Sequence, residues 1–240
     1  MLKNIQHLIR RLLPYGLAAA FLLLVAAWIV FRPARLTLPR LARLGKFIEN
    51  GAARTDWRIP SRERCPDAPF QFPTEGYVGF YWGDSFRPPL RHTGLDIFSG
   101  REPGEAVISA AYPGYLTRLP EWKSTVIIRV PSDPLQPERQ IWTYYTHMAD
   151  LQGASFIDPA FPPGASEVWV EAGTPLGRMG NFSGDPGSPT GVHLHFSIVL
   201  DDGSGKFRDE RVLANTLDPS PYFRRPLAFT NQNDPIPPCQ

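Results

Sequence analysis

The chain has 240 residues, of which 42% are hydrophobic and 20% charged, as expected of a globular protein with one sizeable domain. Residues 1–46 contain eight Lys or Arg and no Asp or Glu, so the remainder, with 17 basic and 23 acidic residues, carries a net charge of −6. A mildly acidic body without clustered Lys or Arg excludes a nucleic-acid-binding protein, because that affinity depends on neutralising phosphates.

The first predicted element is an uncharged run of twenty residues, 12–31. As a helix it would span roughly 30 Å, the thickness of the hydrocarbon core of a bilayer. The run is longer than the apolar part of a typical signal peptide, and Arg32-Pro33 follows it in place of a small-residue cleavage site. We therefore predict a single transmembrane helix over 12–31, preceded by a short basic N-terminus at 1–11. The alternatives are a cleaved signal peptide and a buried core helix.

Residues 32–69 are predicted to form a juxtamembrane helix and a linker. Within 36–50, apolar residues recur at near-helical spacing with Arg40, Arg43 and Lys46 between them. This pattern indicates a short basic amphipathic helix that rests against lipid head groups. The polar, proline-containing stretch that follows is typical of a linker into a folded domain.

A mainly β domain is predicted over residues 70–230, followed by a Pro-rich tail at 231–240. Turn signals occur every eight to twelve residues, and the 27 prolines and 20 glycines argue against long helices. The runs between the turns are rich in β-branched and aromatic residues and predict antiparallel strands, for example Thr125–Val130, Gln140–Tyr145 and Val192–Leu200. Cys65 and Cys239 bracket this domain, and the sequence leaves open whether they pair.

Residues 191–198, GVHLHFSI, alternate between polar and apolar. Because residues two apart on a strand share a face, His193 and His195 project together and the apolar residues face the core. Two imidazoles about 7 Å apart at the backbone can converge on one metal ion. The alternative is a pair of solvent-facing histidines.

Residues 91–98, RHTGLDIF, place His92 four residues before Asp96. Gly94 and its β-branched and aromatic neighbours favour a loop entering a strand over a helix. Histidine nitrogen and carboxylate oxygen are ordinary ligands of catalytic zinc, although an aspartate here is also typical of a turn. A third segment, residues 144–148, contains His147 at the end of a strand-like run. Taken singly, His147 is better explained as a core or surface histidine.

Together these segments resemble the LytM/lysostaphin-type zinc endopeptidases. That family carries His-x-x-x-Asp, Tyr-x-His and His-x-His motifs in this order along the chain. Here the motifs are filled by His92 and Asp96, by Tyr145 and His147, and by His193 and His195. Residues 110–116, 174–181 and 190–196 are similar to further family segments, and the resemblance covers roughly residues 80–199.

The resemblance implies a sandwich-like antiparallel β domain with a groove, and one Zn²⁺ per chain held by His92, Asp96 and His195. It implies a zinc-dependent endopeptidase that hydrolyses peptide bonds of bacterial peptidoglycan stems or cross-bridges through a metal-activated water. His193 and His147 are then the catalytic residues, sharing the general-base and oxyanion roles. Tyr81 is a further candidate oxyanion donor, or alternatively part of an aromatic groove wall.

Some positions depart from the family pattern. Val192 stands where the family prefers proline, and Ser197 where it often has glutamate. The turn at 182–189 is longer than usual, and residues 131–139 and 155–167 are inserts. These differences bear on the groove and on substrate preference, and none removes an expected ligand.

The expected partners are peptidoglycan peptides and the lipid bilayer, the latter through the N-terminal helix, while nucleic acid is excluded and the oligomeric state is left open. We expect a single-pass protein of the bacterial cell membrane with its catalytic domain outside the cytoplasm, or a secreted protein after signal cleavage. Basic residues flank the run at 12–31 on both sides, so orientation rests on the need to reach an external substrate and not on charge. The alternative functions are a latent, wall-binding or hydrolase-regulating relative and a zinc peptidase with a soluble protein substrate. Retention of all five site residues favours an active enzyme.

Overall fold

We describe the protein from a computed structural model that covers residues 2–50, 53–85, 90–231 and 234–240, with the side chains of 2–12 and 29–37 outside the description. In chain order the helices and strands are α1 (Leu2–Glu49), β1 (Tyr77–Phe80), β2 (Leu95–Phe98), β3 (Val107–Ser109), β4 (Gly114–Thr117), β5 (Val126–Val130), β6 (Ile141–Thr146), β7 (Val168–Val170), β8 (Pro175–Arg178), β9 (Gly180–Phe182), β10 (Pro189–Leu200), β11 (Thr216–Leu217) and α2 (Ser220–Phe223). After α1 the described chain is therefore mainly β, as predicted.

One antiparallel sheet organises the domain. Its strands lie in the order β1-β2-β10-β6-β5-β4-β7, and β9 and β11 also pair with β10. Strands β3 and β8 form a separate two-stranded sheet. The predicted antiparallel sheet is confirmed, and the predicted strands at 125–130, 140–145 and 192–200 correspond to β5, β6 and β10.

The long strand β10 separates the core from the face that carries the histidines. Leu194, Phe196 and Ile198 are fully buried in the main hydrophobic cluster. Because side chains alternate along a strand, His193 and His195 lie on the opposite face. The predicted orientation of this segment is therefore correct.

Helix α1 runs without interruption through the predicted anchor at 12–31 and the predicted juxtamembrane helix at 36–50. Part of the anchor, Leu12 and residues 29–31, has side chains that lie outside the description. Within the portion of the chain that is described, no helix combines the length and the apolarity needed to cross a bilayer. The predicted transmembrane helix therefore has no support in the structure.

The C-terminal part of α1 packs against the sheet, which corrects the expectation that it rests on lipid. Leu44 and Phe47 are buried in a cluster with Tyr77 of β1 and Phe98 of β2. One turn earlier in the helix, the buried guanidinium of Arg40 pairs with the buried carboxylate of Asp84, in the segment that follows β1. This end of the helix thus contacts the two strands at the edge of the sheet.

The segments on either side of the predicted domain also contact it. Ile59 pairs with Gly76 and belongs to the main core. Cys65 and Cys239 form a disulfide that links residues 174 positions apart, and Arg225 bonds both to Glu63 and to a carbonyl of the C-terminal tail. The domain boundaries at 70 and 230 stay predictions from the sequence.

Candidate metal centre

Two neighbouring strands and one loop position the predicted ligands. Asp96 of β2 and His195 of β10 are directly opposite each other in the antiparallel pairing. The third residue, His92, lies three positions before β2, as expected for a loop entering a strand. Two hydrogen bonds hold its backbone. The amide of His92 donates to the carbonyl oxygen of Asp84, and the amide of Gly83 donates to the carbonyl oxygen of His92, both at 2.8 Å.

The three candidate ligand atoms form a nearly equilateral triangle. His92 Nε2 lies 3.0 Å from Asp96 Oδ1 and 3.1 Å from His195 Nδ1, and His195 Nδ1 lies 2.8 Å from Asp96 Oδ1. Ligands of a tetrahedral zinc site, with metal–ligand distances near 2.0 Å, are separated by about 3.3 Å. Within the described part of the chain, these residues make up the one group of three whose ligand atoms converge in this way.

Hydrogen atoms cannot satisfy all three of these contacts. His92 Nδ1 lies 3.1 Å from the carbonyl oxygen of Tyr81 and donates to it, which leaves His92 Nε2 as an acceptor in the neutral ring. Asp96 Oδ1 is also an acceptor, and His195 Nδ1 carries one proton at most. If both rings are protonated, the two nitrogens instead confront each other as donors. A cation satisfies all three atoms at once, so the residues fit a bound metal ion.

A carboxylate that the sequence reasoning missed lies directly behind His195. Glu210 Oε1 is 2.8 Å from His195 Nε2, 2.5 Å from Ser197 Oγ and 2.6 Å from Thr93 Oγ1. Burial would lower the pKa of His195, but Glu210 and Asp96 outweigh it and raise that pKa to about 10. The two carboxylates therefore favour positive charge at this point of the molecule.

The two predicted catalytic histidines form a second pair beside the triangle. The rings of His147 and His193 have centroids 4.5 Å apart. Each ring uses Nδ1 toward a backbone carbonyl, His147 toward Phe182 at 2.6 Å and His193 toward Gly191 at 3.2 Å. The Nε2 atoms are left as acceptors in the neutral rings, and His193 Nε2 lies 3.5 Å from Asp96 Oδ1.

Burial keeps these two imidazoles neutral. It lowers the pKa of His147 to about 3, with the nearby His193 acting in the same direction. Burial also lowers the pKa of His193, which the charge of Asp96 opposes only in part. Both rings are therefore proton acceptors near neutral pH.

His147 has a backbone conformation that is uncommon for a residue with a side chain. Its φ angle is 73°, in the left-handed region. Such a conformation costs free energy and is enriched at functional sites. The same residue is the one whose ring contacts that of His193.

Tyr81 has a different place from the one predicted. Its ring is buried in the main core, with the guanidinium of Arg40 4.6 Å from its centroid. Desolvation raises the pKa of its hydroxyl. Tyr81 therefore contributes to the site through its backbone carbonyl, which orients His92, and neither as an oxyanion donor nor as an exposed groove wall.

Comparisons with known proteins give structural matches only. No family model and no curated protein matches the chain. Lysostaphin from Staphylococcus simulans aligns over 61% of this chain and 48% of its own, at 20% identity and a TM-score of 0.39. A mutant of the catalytic domain of a prophage-encoded M23 protein from Enterococcus faecalis aligns over 63% and 96%, at 23% identity and a TM-score of 0.36.

A third match is Csd3 from Helicobacter pylori, aligned over 65% of this chain and 35% of its own, at 17% identity and a TM-score of 0.38. The chain thus spans about half of the length of lysostaphin and about a third of Csd3. The structures with which the chain aligns in part therefore include lysostaphin and an M23 protein.

Proposed function

We propose that this protein is a zinc-dependent endopeptidase that hydrolyses peptide bonds of bacterial peptidoglycan. The observation that carries the proposal is the triangle of His92 Nε2, Asp96 Oδ1 and His195 Nδ1, with all three distances between 2.8 and 3.1 Å. Two nitrogens and one carboxylate oxygen are an ordinary donor set for catalytic zinc, and three protein ligands leave a fourth position for water.

When bound, zinc would lower the pKa of a water molecule toward neutrality and polarise the scissile carbonyl. The chain itself supplies the proton acceptors. His193 and His147 present neutral Nε2 atoms beside the ligands, so either can take a proton as general base. Once protonated, the same nitrogen is a donor for the negative charge that develops on the substrate oxygen. The two residues share these roles in our proposal.

The identity of the substrate rests on the motif resemblance, and the chemistry rests on the site. Peptidoglycan lies outside the cytoplasm, and the disulfide between Cys65 and Cys239 is typical of proteins in oxidising compartments. An extracytoplasmic location therefore agrees with the proposed substrate and with the disulfide. Attachment of α1 to a bilayer stays a prediction from the sequence alone.

The decisive experiment measures metal and activity on the same preparation. The purified full-length chain should contain about one zinc per molecule and should release peptides from purified peptidoglycan, and a chelator should stop the release. His195→Ala should remove most of the metal and the activity. His7→Ala is the matched control, since His7 is the one histidine outside the motif segments.

The outcomes separate the alternatives. Unchanged zinc content in His195→Ala would exclude the assigned ligands. Normal zinc content without peptide release, in the wild-type chain, would favour the latent, wall-binding relative. Cleavage of soluble proteins but not of peptidoglycan would overturn the proposed substrate.

A further inference from the structure

We infer that Glu210 is a positioning residue of the metal centre, whose carboxylate holds the ring of His195 so that Nδ1 faces the metal. The inference rests on the proposed function, because it assigns a role toward the metal that His92, Asp96 and His195 would hold. The carboxylate of Glu210 bonds to His195, Ser197 and Thr93, so its effect on the metal passes through His195.

The carboxylate is enclosed by hydrogen-bond donors. Oε1 lies within 2.8 Å of His195 Nε2, Ser197 Oγ and Thr93 Oγ1. The side chains of Glu210 and His195 are only 14% and 11% exposed. A carboxylate with this little access to water is strongly destabilising unless such partners compensate it.

The hydrogens around Oε1 can be assigned one by one. An ionised carboxylate only accepts hydrogen bonds. His195 Nε2, Ser197 Oγ and Thr93 Oγ1 can each donate one hydrogen to it. The proton of His195 therefore lies on Nε2, shared between Glu210 and Ser197 Oγ, which is 2.9 Å away. With Nε2 holding its proton, Nδ1 is the ring nitrogen that can give up a proton and present its lone pair to a metal, and the negative charge behind the ring makes Nδ1 a stronger donor.

Three separate parts of the chain build this arrangement. Thr93 comes from the loop before β2, Ser197 from β10, and Glu210 from the segment between β10 and β11. Ser197 and His195 share a face of β10, so the hydroxyl lies beside the ring by strand geometry alone. The three donors fix the carboxylate in place before any metal binds, which lowers the entropic cost of ordering the site.

The test compares zinc affinity of full-length variants by competition with a chromophoric chelator. Glu210→Gln keeps the size of the side chain and one acceptor oxygen but removes the charge, and it should weaken zinc binding by about 10- to 100-fold. Glu138→Gln is the matched control, since Glu138 is exposed and far from the site in the sequence. Its zinc affinity should equal that of the wild-type chain.

A spectroscopic readout separates positioning from general destabilisation. In the zinc-loaded wild-type chain, the Nε2 proton of His195 should exchange slowly with solvent in an NMR experiment, because Glu210 and Ser197 hold it. Exchange should be faster in Glu210→Gln. Thr93→Val removes one donor and keeps the carboxylate, so it should cause a smaller loss of affinity and remains informative if Glu210→Gln does not fold.

Equal zinc affinity and equal proton exchange in the wild-type chain, Glu210→Gln and Thr93→Val would overturn the inference while leaving the proposed function intact. Absence of zinc binding in the wild-type chain would instead overturn the proposed function itself. The two failures are therefore distinguishable.

Discussion

The ring of Phe98 lies against the ring of His193, with centroids 5.0 Å apart and planes inclined by 22°. Phe98 ends β2, two residues after Asp96, and His193 lies on the neighbouring strand β10. Leu44 and Phe47 of helix α1 pack in the same cluster as Phe98. The orientation of a predicted catalytic residue thus depends on packing that extends to the N-terminal helix.

We expect Phe98→Leu to lower peptide hydrolysis by roughly tenfold or more while zinc content stays unchanged, because small displacements of a catalytic group have large effects on rate. The measurement is peptide release at saturating substrate together with metal analysis. Phe207→Leu is the control, since Phe207 packs in a different cluster with Trp142. Equal activity in the wild-type chain and Phe98→Leu would show that the ring contact does not orient His193.

A second prediction separates the two histidines of β10. His193→Ala should retain about one zinc per chain and lose hydrolysis by about 10²- to 10⁴-fold, the usual contribution of a general acid–base residue. His195→Ala should lose the metal. Both are measured by metal analysis and peptide release. If His193→Ala lost zinc as readily as His195→Ala, the division between ligand and catalytic residue would be wrong.

The third prediction concerns acid stability in the presence of a chelator. The pKa of His147 falls from 6.5 to about 3 on folding, so the unfolded chain takes up a proton first as the pH drops. The stability associated with a neutral His147 is present above pH 6.5 and is lost as the pH falls toward 3, by at most about 1.4 kcal/mol per pH unit.

His147→Asn removes this titration and keeps a residue that tolerates the left-handed backbone. Urea unfolding at pH 7, 5.5 and 4 should therefore show a smaller loss of unfolding free energy in the variant than in the wild-type chain. Parallel curves for the two proteins would mean that His147 is not held neutral by burial.

The fourth prediction concerns the disulfide. Cys65 and Cys239 close a loop of most of the chain, so their bond restricts the unfolded state strongly. In the double variant Cys65→Ser, Cys239→Ser the free energy of unfolding should be lower by about 2–5 kcal/mol. The variant should keep its zinc, since neither cysteine is one of the proposed ligands. Denaturant unfolding of the variant and of the reduced wild-type chain should agree. A change below about 0.5 kcal/mol would show that the bond adds little to stability.

The sequence by itself was sufficient to predict the antiparallel sheet, the strand that became β10 and the shared direction of His193 and His195. These features depend on local periodicity, because successive side chains on a strand alternate between two faces whatever the rest of the chain does. The resemblance of the three motifs to those of a known family also predicted which distant residues would form one site.

Only the tertiary structure decided which long-range partners complete that site. Ser197 stands where the resembled family often has glutamate. The carboxylate beside it in the structure belongs to Glu210, 13 residues later in the chain. No local sequence pattern predicts such a residue. Glu210 reaches the site because the segment after β10 folds back onto Thr93 and His195. The pairing of Cys65 with Cys239, the burial of Tyr81 and the packing of α1 beside Phe98 depend on the same kind of contact between residues far apart in the chain.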